Sequence, residues 1–286
     1  MKTLYIDKSS EQYPDLLRQI SDPPQRLYFR GNLKLMSTRC FAIVGSRKAS
    51  RAGMLAAEMI GKRLAQCGIT VVSGLAEGID AASHKGALSA GGKTIAVLAN
   101  GLDQYYPSVN MDIQKRIEHN GLLLSEYPDG TVARRFYFPL RNRIISGLSE
   151  IVIVAEAAIR SGSLITAEAA VEQGRRVFAV PGNFMMKCCA GTNHLIADGA
   201  EELIDVNIFL NDMGLSVLNE SGCEGLSQDE QEILAVIRRM GETTTDEIVR
   251  ETLKPAGTVN GLITVLEIKG LVSMEMGKVF PSVGAL

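Results

Sequence analysis

Six short, mainly apolar runs in the first two thirds of this 286-residue chain constrain its fold more than any other feature. Small or turn-forming residues follow most of the runs, and helix-like patterns separate them. Strands that are apolar on both faces and alternate with helices belong to a parallel sheet covered on both sides. The pattern predicts an α/β fold built on a doubly wound, mostly parallel sheet. The runs are Phe41–Val44, Ile69–Val72, Thr94–Leu98, Leu122–Leu124, Ile151–Ala155 and Val177–Val180.

Glycines and serines cluster where the strands are expected to end. In open parallel sheets, ligands bind in a crevice beyond the carboxyl ends of the strands. Glycine allows close approach of a ligand to the backbone, and helix N-termini present free N–H groups to anions. We therefore expect Gly45-Ser46-Arg47, Ser73-Gly74, Ser161-Gly162-Ser163 and Pro181-Gly182 to line one crevice, with Ser50 beginning the helix after the first strand.

Positive charge and aromatic rings are concentrated in a single window of ten residues, 134–143. Guanidinium groups bind phosphates as rigid forks, and aromatic faces stack on bases of any identity. The window therefore indicates a site for a nucleic-acid strand, whereas the plainer interpretation is surface arginines above core aromatics. Asn142 either bonds a base edge or fixes the turn. The charged and aromatic members are Arg134, Arg135, Phe136, Tyr137, Phe138, Arg141 and Arg143.

Composition limits the class of protein. The formal net charge of −2 argues against coating of duplex DNA through overall positive charge, so a nucleic-acid site must be a local basic patch. No apolar run approaches the roughly 20 residues of a membrane span, and the N-terminus does not resemble a signal peptide. Five cysteines without a C-x-x-C motif and three scattered histidines predict reduced thiols, a cytoplasmic protein and no structural zinc.

Motifs of common nucleotide enzymes are missing from the sequence. No G-x-G-x-x-G follows the first strand and no G-K-[ST] follows any strand, so neither a dinucleotide cofactor nor ATP hydrolysis is expected. Asp80 and His84 are better explained by Asp80 capping its own helix and His84 bonding a loop carbonyl than as a catalytic or metal pair. Glu156 and Glu168 have no nucleophile or electrophile predicted beside them. We expect no metal, no cofactor and no catalytic residue.

The last quarter of the chain has a different organisation. We expect an N-terminal extension over residues 1–40 packed on the main domain of residues 41–218, a linker at 219–225 and a small domain at 226–286. The small domain shows three helix patterns followed by a hairpin, which is typical of a winged helix. Residues 225–286 hold six basic and nine acidic side chains, a net charge of −3. Duplex reading by this domain is therefore disfavoured.

Taken together, these motifs resemble the DprA/Smf family of DNA-processing proteins. The resemblance runs from about Tyr13 to Val206 and includes the winged-helix tail. Arg135 stands where many relatives carry lysine, which keeps the positive charge. The motifs are Ile43–Arg47 with Ser50, Ser73–Asp80 with His84, Gly101–Asp103 with Tyr106-Pro107, Ser125-Glu126, Phe138–Ile145, Arg160–Thr166, Pro181-Gly182 and Gly199-Ala200.

The resemblance implies an extended Rossmann-like domain that binds single-stranded DNA with little sequence preference. It also implies a homodimer that helps load RecA recombinase onto DNA during natural transformation, a process that belongs to competence and DNA recombination. It implies no catalytic turnover. Apolar residues around Leu195, Ile196 and Ile204 pack either a dimer or the sheet. The expected DNA-binding residues are Gly45, Ser46, Arg47, Ser50, Gly74, Arg134, Arg135, Phe138, Arg141, Asn142, Arg143, Ser161, Gly162 and Ser163.

Two other functions stay open at the level of sequence. The turn at residues 161–163 loosely resembles the phosphate loop of Rossmann-type nucleotide phosphoribohydrolases, in which case Glu156 or Glu168 would be catalytic. Alternatively, the winged-helix tail reads DNA and the large domain is a scaffold. Release of free base from nucleoside monophosphates tests the first alternative, and deletion of residues 225–286 tests the second.

Overall fold

The structure is a computed structural model, and it describes residues 1–216, 226–275 and 277–281. The expected linker at 219–225 lies outside these described residues. The chain divides into two compact units, Met1–Leu218 and Asn219–Leu286. Across the described ranges, no helix is both long and apolar enough to cross a membrane.

One nine-stranded sheet runs through the first unit, in the spatial order β1-β2-β6-β5-β4-β3-β7-β8-β9. Every pairing from β6 across to β9 is parallel, and β2 pairs antiparallel with both β1 and β6. The predicted α/β fold with a mostly parallel sheet is confirmed. The strands are β1 Leu4–Asp7, β2 Arg26–Gly31, β3 Cys40–Gly45, β4 Thr70–Ser73, β5 Thr94–Leu98, β6 Leu122–Ser125, β7 Ile151–Glu156, β8 Arg176–Ala179 and β9 Glu201–Glu202.

Helices cover both faces of this sheet. Alternate residues of β3 belong to different cores: Ala42 packs with the side of the sheet that carries α1, α5 and α6, and Phe41 packs with the side that carries α2, α3 and α8. This alternation explains why the strands are apolar throughout. The helices are α1 Asp15–Arg18, α2 Arg51–Gln66, α3 Ile79–Ser89, α4 Met111–Asn120, α5 Tyr137–Gly147, α6 Gly162–Glu172, α7 Ala190–Ala197 and α8 Val206–Asp212.

The N-terminal residues belong to the same sheet. The sequence alone predicts an edge strand at Leu27-Tyr28-Phe29, but β2, which contains these residues, lies between β6 and β1, and β1 forms the edge. The reason is that β1 pairs with β2 over four positions, from Leu4 opposite Phe29 to Asp7 opposite Arg26. The short, mixed pattern of β1 gave no strand signal by itself.

The order of the strands reverses at β3. The chain proceeds from β3 through β4 and β5 to β6 on one side, and it returns through β7 and β8 on the other. A crevice forms where the loops leaving two neighbouring parallel strands diverge in this way. The topology therefore puts the carboxyl ends of β3 and β7, with Gly45 and Glu156, at the centre of the expected ligand edge.

The second unit contains three helices and a small antiparallel sheet in the order β10-β12-β11. Ser227 and Thr244 each form a capping box with a glutamate three residues later, which fixes the beginnings of α9 and α10. The predicted three helices followed by a hairpin are present. The elements are α9 Gln228–Met240, β10 Thr243–Thr244, α10 Thr245–Thr252, α11 Ala256–Ile268, β11 Val272–Glu275 and β12 Lys278–Pro281.

Candidate nucleic-acid interface

Arg47 and Phe138 meet at the carboxyl edge of the sheet. The Arg47 guanidinium carbon lies 4.6 Å from the centre of the Phe138 ring, a cation–π contact between the loop after β3 and the beginning of α5. The pair borders a cavity of about 200 Å³. The residues that line this cavity are Arg47, Lys48, Gly74, Ala76, Glu77, Leu98, Ala99, Asn100, Tyr106, Pro107 and Phe138.

The Phe138 ring has neighbours that hold it at the mouth of the cavity. The ring centres of Tyr106 and Phe138 are 5.9 Å apart, and the Arg141 guanidinium carbon lies 6.0 Å from the Phe138 centre. Tyr106 is 48% exposed, so this pair of rings presents aromatic surface to solvent. The site therefore offers cations and stackable ring faces within one cavity, which suits a base attached to a phosphate.

Arg141 is buried beneath this surface. Its Nη1 donates to the carbonyl oxygen of Gly74 at 2.6 Å and to that of Val97. Burial lowers the pKa of Arg141 to about 10, and the nearby Asp80 carboxylate opposes that shift, so the guanidinium stays charged at neutral pH. At 4% exposure, Arg141 joins α5 to the ends of β4 and β5. Direct contact of Arg141 with DNA stays a prediction.

The glycines at the strand ends are explained by packing inside the protein. A Cβ on Gly74 would overlap the guanidinium of Arg141, and a Cβ on Gly45 would lie 2.6 Å from Ile79 and 2.7 Å from the carbonyl oxygen of Glu156. Sequence reasoning had assigned these glycines to close approach of a ligand. Gly74 nevertheless lines the cavity, whereas a Cβ on Gly162 would meet nothing.

Asp80 and His84 are buried on α3, but Asp80 does not cap its own helix as expected, because α3 follows Gly78 without a side-chain cap. One Asp80 oxygen accepts from the backbone N–H groups of Gly74 and Ala76, at 3.2 and 3.4 Å. Burial raises the pKa of Asp80, while Arg141 and these N–H groups oppose the rise. His84 bonds the hydroxyl of Thr94 rather than the expected loop carbonyl.

The turn Ser161-Gly162-Ser163 begins α6 as predicted. Ser161 caps the helix, and its hydroxyl lies 2.7 Å from that of Ser163. The Asn142 side-chain amide donates to the carbonyl oxygen of Gly162 at 3.3 Å, which connects the turn to α5. This contact favours the turn-fixing interpretation of Asn142. The lining of the cavity does not include these three residues, so the turn lies beside the cavity.

The other arginines of the window divide into two groups. Arg134 and Arg135 are exposed, and within the described residues no carboxylate pairs with either of them. Arg143 is instead held by Asp22 at 3.0 Å and Glu126 at 2.8 Å. The first two guanidinium groups are therefore available to phosphates, while a DNA contact by Arg143 would require it to leave two ion pairs.

Ser50 is also engaged within the protein. Its backbone N–H donates to Glu156 at 2.9 Å, and its hydroxyl makes a short bond to the other oxygen of the same carboxylate. Glu156 therefore covers the N-terminus of α2, where an anion had been expected. Glu168 lies exposed on α6. A DNA contact by Ser50 stays a prediction, as do those by Gly45 and Ser46.

Sequence reasoning missed three polar residues of the cavity, Lys48, Asn100 and the acidic Glu77, and underrated a fourth. Lys48 follows Arg47 directly, and Asn100 comes two residues after β5, so both stand at the ligand edge. A search for every polar side chain within three residues after a strand would have found Lys48 and Asn100, whereas Glu77 comes four residues after β4. For Tyr106, the sequence alone allows base stacking but favours a packed loop. Exposed Arg51 and Lys85 line a neighbouring groove together with Arg47 and Lys48, which extends the basic surface.

The cations of the second unit are mostly neutralised. Four of them form ion pairs within the unit: Arg239 with Glu251, Lys254 with Asp229 and Glu232, Lys269 with Glu230, and Lys278 with Glu242. With nine acidic side chains against six basic ones in residues 225–286, little unpaired positive charge is left to attract a phosphate backbone.

The fold and cavity define an α/β protein with a basic and aromatic crevice beyond its parallel strands, joined to a winged-helix unit. Residues 4–214 match the family model described as DNA recombination-mediator protein A, and residues 222–278 match the DprA winged helix domain. The chain therefore belongs to the DprA/Smf family, as its motifs predicted.

Known relatives agree with this assignment. The chain is 49% identical to DNA processing protein DprA of Streptococcus pneumoniae over 189 residues, which are 66% of this chain and 67% of that protein. The X-ray structure of DNA processing protein A from Streptococcus pneumoniae superposes with a TM-score of 0.71 at 44% identity, over 74% of this chain and 75% of that one.

A second solved structure adds information about a ligand. The structure of DNA processing protein A from Helicobacter pylori, which gives insights into its unique single-stranded DNA binding mode, has a TM-score of 0.69 and 30% identity. The similarity covers 74% of this chain and 96% of that one.

Proposed function

We propose that this chain binds single-stranded DNA with little sequence preference in the crevice bordered by Arg47 and Phe138. The main observation behind this proposal is that the guanidinium carbon of Arg47 lies 4.6 Å from the centre of the Phe138 ring, at the mouth of a cavity. One group binds a phosphate and the other stacks a base, and neither contact depends on base identity. The single-stranded DNA binding mode described for the Helicobacter pylori relative supports this proposal.

The remaining cations extend the same surface. Exposed Arg134 and Arg135 precede α5, and exposed Lys48 and Arg51 flank Arg47. A strand whose base enters the cavity would have its neighbouring phosphates within reach of these groups. A concentrated patch of this kind explains how a chain with net charge −2 binds a polyanion.

We further propose that binding serves to load RecA recombinase during natural transformation, and that a cytoplasmic homodimer performs it without turnover. This part rests on membership of the family and on free thiols at Cys40, Cys67, Cys188 and Cys189. The proposal of no turnover is supported by the groups that could otherwise act as acids or bases. Asp80 and His84 are buried, and Glu156 is hydrogen-bonded to Ser50. Faster RecA assembly on single strands in the presence of this protein tests the loading step.

Fluorescence anisotropy with labelled oligo-dT and a mixed-sequence oligonucleotide tests the DNA site. We expect Arg47→Ala to weaken both affinities similarly, by about 10-fold or more, because a charge-assisted bond to phosphate is lost. Arg39→Ala is the matched control: this exposed arginine precedes the opposite end of the same strand and pairs with Glu150. Equal affinities for the parent and Arg47→Ala would show that the DNA site lies elsewhere.

A further inference from the structure

The loop after β8 brings two thiols to the buried carboxylate of Glu156. The Sγ atoms of Cys188 and Cys189 are 3.8 Å apart. Together with a carboxylate oxygen of Glu156, they form a group of ligand atoms that all lie within 4.8 Å of one another. We propose that these three residues bind a thiophilic divalent cation, with zinc as the preferred ion.

The separation of the two sulfurs suits a single metal ion. Zinc binds thiolates at about 2.3 Å and prefers tetrahedral geometry, which requires a sulfur–sulfur distance of about 3.8 Å. The observed separation of 3.8 Å agrees with that value. A disulfide would instead require the sulfurs to approach to about 2.05 Å. The carboxylate oxygen lies within 4.8 Å of both sulfurs, and a tetrahedral ion requires about 3.6 Å, so an approach of at most about 1.2 Å completes the site.

The types of ligand identify the class of ion. Two thiolates and one carboxylate suit zinc, whereas magnesium and calcium prefer oxygen ligands only. Three protein ligands leave the fourth tetrahedral position to water. Cys188 and Cys189 are half-buried and Glu156 is 3% exposed, so the two thiols are the ligands more accessible to an ion from solvent.

Glu156 is already oriented by a second layer of contacts. Its two oxygens accept from the backbone N–H and the hydroxyl of Ser50, one bond each. Each carboxylate oxygen has a further lone pair, so a cation does not need to displace Ser50. Metal-binding carboxylates are commonly held by such hydrogen bonds, which fix their orientation before the ion arrives.

The loop that carries the thiols is anchored at both ends. Asn193 of α7 exchanges two hydrogen bonds of 3.0 Å with the backbone of Gly182. At the other end, the Gly191 N–H donates to the carbonyl oxygen of Ala157 at 2.7 Å. A Cβ on Gly182 would overlap the sulfur of Cys189. These contacts hold Cys189 against the end of β7, so the protein provides most of the ligand geometry in advance.

The sequence by itself predicts no structural zinc, because its cysteines form no C-x-x-C motif and its histidines are scattered. The third ligand comes from the end of β7, 32 residues before Cys188 in the printed sequence, and only the fold brings it close. A bound ion would link the loop after β8 to β7 and to the beginning of α2, and would stabilise that edge of the sheet.

Cobalt(II) titration of the reduced, chelator-treated full-length protein tests the site. Cobalt replaces zinc in tetrahedral sites, and bonds to thiolate give intense charge-transfer absorption. We expect one equivalent of cobalt with this absorption, loss of the signal on addition of one equivalent of zinc, and a higher Tm with zinc. Cys188→Ser and Cys189→Ser are each expected to weaken binding by at least about 10-fold, since even supporting groups contribute that much.

The controls separate this site from other cysteines. Cys67→Ser removes a buried thiol at the end of α2 and should leave cobalt binding unchanged, as should Cys223→Ser, whose position lies outside the described residues. Glu156→Gln should weaken binding while keeping the two thiolates. Absence of thiolate absorption in the parent would overturn the proposal, and so would unchanged binding in Cys188→Ser and Cys189→Ser.

Discussion

Arg141 donates to the carbonyl oxygen of Gly74 at 2.6 Å, and this bond joins the aromatic end of α5 to the carboxyl end of β4. Gly74 has no Cβ, and the space that a Cβ would take is filled by the guanidinium. Phe138 lies three residues before Arg141 on the same helix, so the buried contact determines where the exposed ring stands. One residue pair therefore connects the sheet to the cavity.

Arg141→Ala should destabilise the protein strongly. The change leaves the carbonyls of Gly74 and Val97 without their donor and removes the positive charge near the buried Asp80 carboxylate, at a cost of about 3 kcal/mol or more. Urea unfolding measures the difference. Arg135→Ala, at an exposed position without an ion pair, should change the free energy of unfolding by less than about 0.5 kcal/mol.

Two glycine substitutions distinguish a packing role from a ligand role. Gly74→Ala should destabilise the fold because its Cβ overlaps Arg141. The Cβ of Gly162→Ala would point into open space at the beginning of α6. The free energy of unfolding should therefore stay the same or rise by less than about 1 kcal/mol. If the turn approaches a bound strand, Gly162→Ala weakens oligo-dT binding without unfolding the protein. Unchanged affinity would remove this turn from the interface.

His84 should make stability depend on pH. Thr94 donates its hydroxyl to the carbonyl of Val71, so the His84 Nδ1–H must donate to Thr94, and the buried Nε2 has no partner. Burial lowers the pKa of His84 to about 3, with Arg141 adding to the shift. The unfolded chain therefore binds the extra proton first, and stability falls as pH decreases from about 6.5 towards 3.

Comparison with His84→Asn isolates this effect, because Asp80 titrates in both proteins. Its raised pKa acts in the opposite direction, lowering stability as pH rises above the unfolded value of about 3.9. Between pH 6.5 and 4.5, the parent should lose roughly 1 kcal/mol per pH unit relative to the variant. Parallel curves of unfolding free energy against pH would contradict burial of a neutral His84.

Deletion of residues 225–286 should leave single-strand affinity nearly unchanged. Four of the six cations in this segment are already paired with carboxylates of the second unit, and the segment is acidic overall. Anisotropy with oligo-dT compares the two forms. Loss of binding in a truncated protein that keeps its circular dichroism spectrum would assign DNA reading to the winged helix.

Much of the fold could be predicted because buried parallel strands leave a local signal. Thr94–Leu98 was predicted to the residue, and the other five runs differ from the observed strands by one or two residues at their ends. Strand β1 was missed since its edge position requires no continuous apolar run. A continuous apolar run indicates a strand that is buried on both faces, but it does not identify a strand at the edge of the sheet.

The candidate site was only partly predictable from sequence. Arg47, Phe138 and the neighbouring turns could be recognised as binding candidates from their residue types and their positions near strand ends. The same information did not show which arginines face solvent. Arg141 and Arg143 look equivalent to Arg134 and Arg135 in the sequence, yet the first is buried and the second is paired with Asp22 and Glu126. Partners that come from distant parts of the chain decide those outcomes.

A titration of single-stranded and duplex oligonucleotides of equal length, at two salt concentrations, tests the central claim most directly. The proposed crevice joins phosphate-binding cations to base-stacking rings, and only unpaired bases can reach the rings. We predict tighter binding of the single strand at both salt concentrations, with affinity that falls as salt rises. Equal or tighter binding of the duplex, or affinity independent of salt, would contradict the assignment of this crevice to single-stranded DNA.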